Sequence, residues 1–157
     1  MDKVPMTPQG HVALTEELHQ LKTFERPKIS KEIGIAREHG DLRENAEYHA
    51  AKEKQGLVEA RIGEIEDRLA RAEIIDPSTF TGEKIRFGAF VTLEESDSGK
   101  VIEYRIVGPD EADLEKGTIS VTSPVARALI GREPGDEVTV NAPGGKKLYE
   151  VTKVRWK

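Results

Sequence analysis

No cysteine occurs anywhere in the chain, which excludes disulfides and cysteine-ligated metal centres. No apolar run reaches the length of a signal peptide's hydrophobic segment or of a membrane span, so a soluble, cytoplasmic protein is expected. Internal repeats and low-complexity tracts are absent as well. Basic charge is in short supply: the net charge is −5, with 12 basic and 16 acidic side chains over residues 1–76 and 12 and 13 over residues 77–157. A freestanding binder of duplex DNA carries a basic excess or a basic face. A chain with this balance that works beside nucleic acid has to be held there by something else.

Apolar content is also low, 36% against 34% charged over 157 residues. That is lean for one compact globule and suits a long exposed helix pair joined to a small core. The first half reads as that pair. Met6-Thr7-Pro8 starts a helix, with Thr7 as cap and Pro8 at its first position. Leu14, Leu18, Leu21, Glu25, Ile29, Ile33 and Ala36 continue it with one four-residue slip, and Pro27 beside the slip predicts a kink. Tyr48, Ala51, Gln55, Val58, Ile62, Ile65, Leu69 and Ala72 then alternate by three and four. This is a heptad seam, and residues 44 to 73 would make a rod of about 45 Å. A short loop between two such helices makes them antiparallel neighbours. Gly34, Gly56 and Gly63 weaken the helices, with close approach of the two as a compensating use.

Between the helices lies the segment that organises the chain. His39-Gly40-Asp41 is a break, with Gly40 as a left-handed stop. Asp41 and Glu44 have the spacing of a capping box for the second helix. Asp41, Glu44 and Glu47 thus gather near the hairpin tip. Capping and complementing the helix dipole account for two carboxylates at such a place. The alternative is metal chemistry: two carboxylates are too few to hold Mg²⁺ alone but suffice as half of a shared site. His39 and His49 lack metal-ligand spacing. Arg37, Arg43, Lys52 and Lys54 add local positive charge, read either as surface pairing with neighbouring glutamates or as contacts to a nucleic-acid backbone.

Asp76-Pro77-Ser78 ends the helical half and marks a domain boundary. Beyond it the pattern predicts strands at Lys84–Glu94, Val101–Val107, Thr118–Val121, Glu137–Val140 and Lys147–Val154. Asp97-Ser98-Gly99 and Pro143-Gly144-Gly145 form turns, and Ser123-Pro124 caps one short helix, Val125–Ile130. The reading is a small antiparallel sheet with one helix. This half offers no nucleophile–base set and no glycine-rich phosphate loop.

The stretch Glu38-His-Gly-Asp-Leu-Arg-Glu-Asn-Ala-Glu-Tyr-His-Ala-Ala51 resembles the tip motif of the GreA/GreB family of bacterial transcript cleavage factors. The resemblance extends along the chain through Met6-Thr-Pro8, Glu25-Arg-Pro27, Tyr104-Arg-Ile-Val-Gly108, Ile119-Ser-Val-Thr-Ser-Pro124, Ala126-Arg-Ala-Leu-Ile-Gly131 and Pro143-Gly-Gly145. It implies an α+β chain: an antiparallel coiled-coil hairpin over residues 1–76, with its acidic tip near 39–47, and an FKBP-like antiparallel sheet domain with one helix over 77–157. It implies a monomer that docks on RNA polymerase and inserts the hairpin into the secondary channel. There the tip stimulates the polymerase's own cleavage of backtracked nascent RNA, so the factor is not itself an enzyme. The resemblance implies no cofactor of its own. Asp41 and Glu44 would share Mg²⁺ supplied in the polymerase active centre and position the attacking water. Arg37 and Lys52 would touch the RNA 3′ segment, and Ser123 and Pro124 would face the polymerase. Arg43 sits at a position read as variable and receives no role.

Two rival functions are weighed. A related channel-entering inhibitor would not promote cleavage, against which the intact Asp41-Leu-Arg-Glu44 stands. A peptidyl-prolyl isomerase would need an aromatic-lined pocket, for which residues 77–157 hold only Phe80, Phe87, Phe90, Tyr104, Tyr149 and Trp156.

Overall fold

The computed structural model describes residues 2–40, 45–142 and 144–156. Its elements run β1 (Val4–Met6), α1 (Pro8–Gln20), a π-helical turn (Leu21–Glu25), α2 (Arg26–Arg37), α3 (Ala46–Ala70) and β2 (Ala72–Ile74). They continue with β3 (Phe90–Glu95), β4 (Val101–Val107), β5 (Thr118–Ser120), α4 (Pro124–Leu129), β6 (Glu137–Ala142) and β7 (Gly145–Arg155). Short 3₁₀ turns lie at Pro77–Thr79 and Leu114–Lys116. The architecture is α+β, and the chain divides into two compact units: Val12–Arg71, and Met1–His11 together with Ala72–Lys157. No described helix is long and apolar enough to cross a membrane.

The helical unit follows from the seam. Every expected α3 seam position from Tyr48 to Leu69 is buried or half-buried, with Ala51, Ile62 and Ile65 the most enclosed. Ile29 and Ile33 of α2 pack against Ala51, flanked by Tyr48 and Val58. Cross-helix ion pairs fix the direction: Lys22 meets Glu66, Arg26 meets Glu59, Glu32 meets Lys54 and His39 faces Glu47. As one partner's number rises the other falls, so the helices are antiparallel. Pro27 is accommodated without breaking the helical path. The turn before it closes wide, the Arg26 N–H bonding to the Leu21 carbonyl five residues back, and Pro27 falls in the first turn of α2. A π turn takes in one extra residue, which is the four-residue slip in the seam. Glu25, inside that turn, is exposed. Gly34, Gly56 and Gly63 are exposed with open space where a Cβ would stand, so they mediate no close approach.

The other unit is built on a five-stranded sheet ordered β5-β4-β3-β7-β6. Val91, Leu93, Ile106, Val138, Val140 and Val151 alternate onto one face, where Ala126 and Leu129 of α4 close the core with Ile85 and Ile119. The expected strand at Val101–Val107 is present with those bounds. Two expectations are corrected. The sheet is mixed rather than wholly antiparallel, because β4 and β5 pair in parallel. Residues 84–89 precede β3 instead of belonging to it: Ile85 donates to the Arg132 carbonyl and Gly88, at φ 88°, turns the chain.

A single cut at Asp76-Pro77 does not match these units. β1 pairs in parallel with β2, Val4 opposite Ala72 and Met6 opposite Ile74, and the Ile75 N–H reaches the Met6 carbonyl. This separate two-stranded sheet places the first residues in the same unit as the five-stranded sheet. Thr7 does cap α1, its hydroxyl accepting the Gly10 N–H at 3.0 Å. The Glu111 carboxylate reinforces that cap by accepting from the Thr7 N–H, the Thr7 hydroxyl and the Gly108 N–H.

Candidate functional site

The last turn of α2 tightens before it stops. Glu38, His39 and Gly40 donate to the carbonyls of Ile35, Ala36 and Arg37, each three residues back. Such short-range bonds satisfy carbonyls that a helix end would otherwise orphan. Gly40 then turns the chain at φ 106°, a conformation that glycine adopts without a steric penalty.

On the other side, the cap of α3 is Asn45, which corrects the expected Asp41–Glu44 capping box. The Asn45 backbone is extended, and its side-chain oxygen accepts the Tyr48 N–H at 3.0 Å. Helix α3 accordingly starts at Ala46, and it ends at Ala70 because Ala72 belongs to β2. The Asn45 amide nitrogen reaches back across the hairpin to the Ala36 carbonyl at 2.6 Å. That carbonyl also accepts the His39 N–H at 3.1 Å, so both of its lone pairs are used. Asparagine suits the position because one short side chain carries an acceptor and a donor.

The candidate carboxylates Asp41 and Glu44, with Leu42 and Arg43, lie outside the described residues. Glu47, the third acidic residue of the tip, faces the His39 imidazole at 3.8 Å with both side chains exposed. Among the described residues no group of three or more His, Cys, Asp or Glu side chains converges on a metal position. Arg37, the last residue of α2, is exposed, and no partner for its guanidinium is found among the described residues. Lys52 is exposed on α3 and donates to Gln55 at 3.1 Å. The hairpin end therefore carries two solvent-facing cations beside an anchored turn. A shallow hollow of about 310 Å³ lies behind it, between Ile35 and Ala36 on one helix and Ala50, Ala51 and Lys54 on the other.

Ser123 and Pro124 belong to the sheet unit. Ser123 caps α4 by accepting the Ala126 N–H at 3.2 Å, while Pro124 occupies the first turn and is exposed. The aromatic side chains of this unit are dispersed. Phe87 and Tyr149 are buried, the Phe90 ring is flanked by the Arg105 and Arg155 guanidiniums, and Phe80 stacks with Arg86 and meets Trp156 edge-on. This arrangement gives the isomerase reading no support.

Sequence reasoning missed Asn45 because Asp41 and Glu44 fit a familiar two-residue template a few positions earlier. The available signal was the ranking of asparagine among the best N-caps immediately before Ala46. Glu111 had no local signal, since its partner Thr7 is 104 residues away.

The family description "Transcription elongation factor, N-terminal" matches residues 4–74, and "Transcription elongation factor, GreA/GreB, C-term" matches residues 81–155. The chain is 58% identical over 156 residues to the transcription elongation factor GreA of Phenylobacterium zucineum, covering 99% of each chain. It is 58% identical over 157 residues to that of Hyphomonas neptunium, covering 100% of both. A solved structure of GreA factor homolog 1 from Thermus thermophilus is 30% identical, covers 98% of this chain and 99% of its own, and superposes with a TM-score of 0.45. With both halves matched and full-length relatives at this identity, the chain belongs to the GreA/GreB family of transcription elongation factors.

Proposed function

We propose that the protein docks on RNA polymerase through its sheet unit and presents the hairpin tip, through the secondary channel, to the polymerase active centre. There it stimulates the polymerase's intrinsic cleavage of backtracked RNA, so that arrested elongation restarts from a new 3′ end. The protein is not a nuclease by itself and acts as a monomer in the cytoplasm. The observation that carries this reading is the cap of α3. Asn45 performs the capping duty expected of Asp41, which removes the cap as an account of that carboxylate and supports a role for it in the polymerase active centre.

In this reading Asp41 and Glu44 complete the ligand shell of Mg²⁺ supplied by the polymerase and orient the attacking water. Two carboxylates are a fitting number for a shared ion that keeps several waters. Arg37 and Lys52 face solvent at the same hairpin end and are the cations for the phosphates of the RNA 3′ segment. Pro124, exposed at the start of α4, and its neighbour Ser123 belong to the docking surface. The mild net acidity agrees with this division, since affinity comes from a protein partner and nucleic acid is met only inside the complex.

The test is RNA release from halted, backtracked elongation complexes with and without the protein. Release is expected only when polymerase, Mg²⁺ and the protein are all present, and Asp41→Asn is expected to abolish the stimulation. Cleavage of free RNA by the purified protein, or full stimulation by the Asp41→Asn variant, overturns the reading.

A further inference from the structure

We propose that the hollow around Arg105, on the face of the five-stranded sheet turned away from α4, takes an acidic side chain of RNA polymerase and so forms part of the docking surface. The inference rests on the function proposed above and locates one contact of the docking assigned there to the sheet unit. Phe90 of β3 and Arg105 of β4 stand opposite each other, and each is followed by a core residue, Val91 and Ile106. Both side chains therefore rise from the outer face. The Arg105 guanidinium lies 5.0 Å from the centroid of the Phe90 ring and that of Arg155 lies 4.1 Å from it. The two differ in what they hold. Arg155 forks onto the Glu103 carboxylate with bonds of 3.0 and 3.1 Å. Arg105 is half-buried, and its Nε is shut off from solvent with no acceptor. Its guanidinium makes no hydrogen bond or ion pair among the described residues. Buried donors find partners in the great majority of cases, so an unpaired one beside a cavity points to a ligand.

The cavity is a hollow of about 350 Å³ lined by Arg105, Phe90, Gln9, Asp76, Pro77 and Ser78. Its walls are fixed in the absence of any ligand. Gln9 sits in the first turn of α1, whose start is held by Thr7 and Glu111. Pro77 is buried beside Gly88, and the Asp76 Oδ1 accepts the Ser78 N–H at 3.0 Å and the Ser78 hydroxyl at 2.7 Å. A guanidinium laid on an aromatic ring keeps its planar fork of donors for a carboxylate. Held in place and partly desolvated beforehand, it loses little further freedom on binding.

The surroundings favour a single carboxylate over a phosphate. Asp76 is exposed, and its bonds from Ser78 hold its carboxyl below the usual value, so it stays ionised and repels a doubly charged group. The amides at the start of α1 cannot assist, because the Thr7 N–H is taken by Glu111 and the Gly10 N–H by the Thr7 hydroxyl. One arginine beside one aspartate suits an acidic side chain with an N–H donor or a cation next to it, as a protein surface supplies. The strand register joins this hollow to the other docking residues. β5 runs parallel to β4 with Thr118 level with Arg105, and leads within a few residues to Ser123 and Pro124.

The test compares full-length wild type, Arg105→Met, Arg105→Lys and Pro124→Arg by thermal unfolding, by direct binding to core RNA polymerase and by RNA release from backtracked complexes. Arg105→Met keeps an unbranched chain over Phe90 and removes the orphaned N–H, so its thermal midpoint is expected to equal or exceed that of wild type. Its Kd for polymerase is expected to rise at least about tenfold, with the saturated rate of RNA release within about twofold of wild type. Arg105→Lys keeps the charge without the fork and is expected to restore little of the lost affinity. A smaller rise in Kd, or a lowered midpoint in Arg105→Met, overturns the inference. Full recovery by lysine overturns it too, since any surface cation would then suffice. If wild type binds polymerase but stimulates no release, the proposed function fails, while the Kd comparison still decides the role of Arg105. If wild type is active and Pro124→Arg binds weakly while Arg105→Met binds normally, only the Arg105 contact falls.

Discussion

The Glu111 carboxylate accepts the backbone N–H of Thr7 at 3.0 Å, 104 residues away in sequence, and that of Gly108 at 3.1 Å. It also accepts a hydrogen bond from the Thr7 hydroxyl, and that hydroxyl in turn accepts the Gly10 N–H. Thr7 is fully buried, so these groups have no water to fall back on, and a carboxylate at a helix N-terminus is favoured by the helix dipole. The arrangement makes a prediction with an unusual sign. A Cβ on Gly10 would overlap the Glu111 carboxyl carbon. Gly10→Ala should therefore lower stability by about 1–3 kcal/mol, although alanine is the better helix former by about 1 kcal/mol. In a Glu111→Ala background the same substitution should stabilise. A double-mutant cycle by urea unfolding measures the reversal, and additive effects would show that Glu111 does not occupy this place.

Gly56 and Gly63 of α3 are predicted to behave in the opposite way. Both are mid-helix and exposed, and a Cβ at either meets nothing within 4 Å. Each Gly→Ala change should raise the stability of the helical unit by up to about 1 kcal/mol, through lower unfolded-chain entropy and better helix propensity. The two effects should add, since the residues share no partner. A urea midpoint that falls in either variant would mean that these glycines face a packed neighbour after all.

The third expectation concerns pH. Arg61 forks onto Glu17 with bonds of 2.7 and 2.8 Å, and these bonds hold the Glu17 carboxyl below its ordinary value, outweighing the opposing effect of burial. Glu59 is lowered in the same way by Arg26. A carboxyl depressed in the folded state stabilises above its unfolded value, 4.5 for glutamate, and the contribution is lost as pH falls through the lower folded value. Both residues of the Arg61–Glu17 pair are more than one-third exposed, so it is worth no more than about 1 kcal/mol at neutral pH. Arg61→Gln should cost up to that amount at pH 7. The gap between variant and wild type should close as pH drops below 4.5, and it should shrink at about 1 M salt. A gap that widens on acidification would contradict the pairing.

Legibility in the sequence tracked how local the cause was. The α3 seam and the alternation of Val101–Val107 were readable because each residue's burial follows from its own period. β1 and β2 were not: each has three residues, and what makes them strands is a partner 68 positions away. The parallel pairing of β4 with β5 depends likewise on how the chain returns through Leu114–Lys116. At Pro27 the residue that disturbs a helix was read correctly. The remedy was not, because a π turn leaves only one extra position in the seam as its trace. At the tip, Gly40 was recognisable by type, whereas Asn45 had to be chosen over Asp41, and the donor bond that distinguishes it runs to another helix.

The last prediction separates docking from cleavage. A fragment of residues 77–157 would lack β1, β2 and Thr7, stripping Glu111 of two partners and removing the buried Met6. It should be less stable than a chain in which Met1–His11 is joined to Ala72–Lys157 by a flexible linker of about ten Gly/Ser residues, which has a root-mean-square reach of about 17 Å. The linked chain keeps the β1–β2 pair and the Thr7–Glu111 cap, so it should unfold in a cooperative transition. If the sheet unit docks on polymerase, this chain should compete with the full-length protein for polymerase while releasing no RNA from backtracked complexes. Adding Pro124→Arg should weaken the competition without disturbing the fold, because Pro124 is exposed and the cap of α4 resides in Ser123. Competition binding and RNA release on the same preparations decide the matter. A folded linked chain that fails to compete would place the docking determinants in the helical unit.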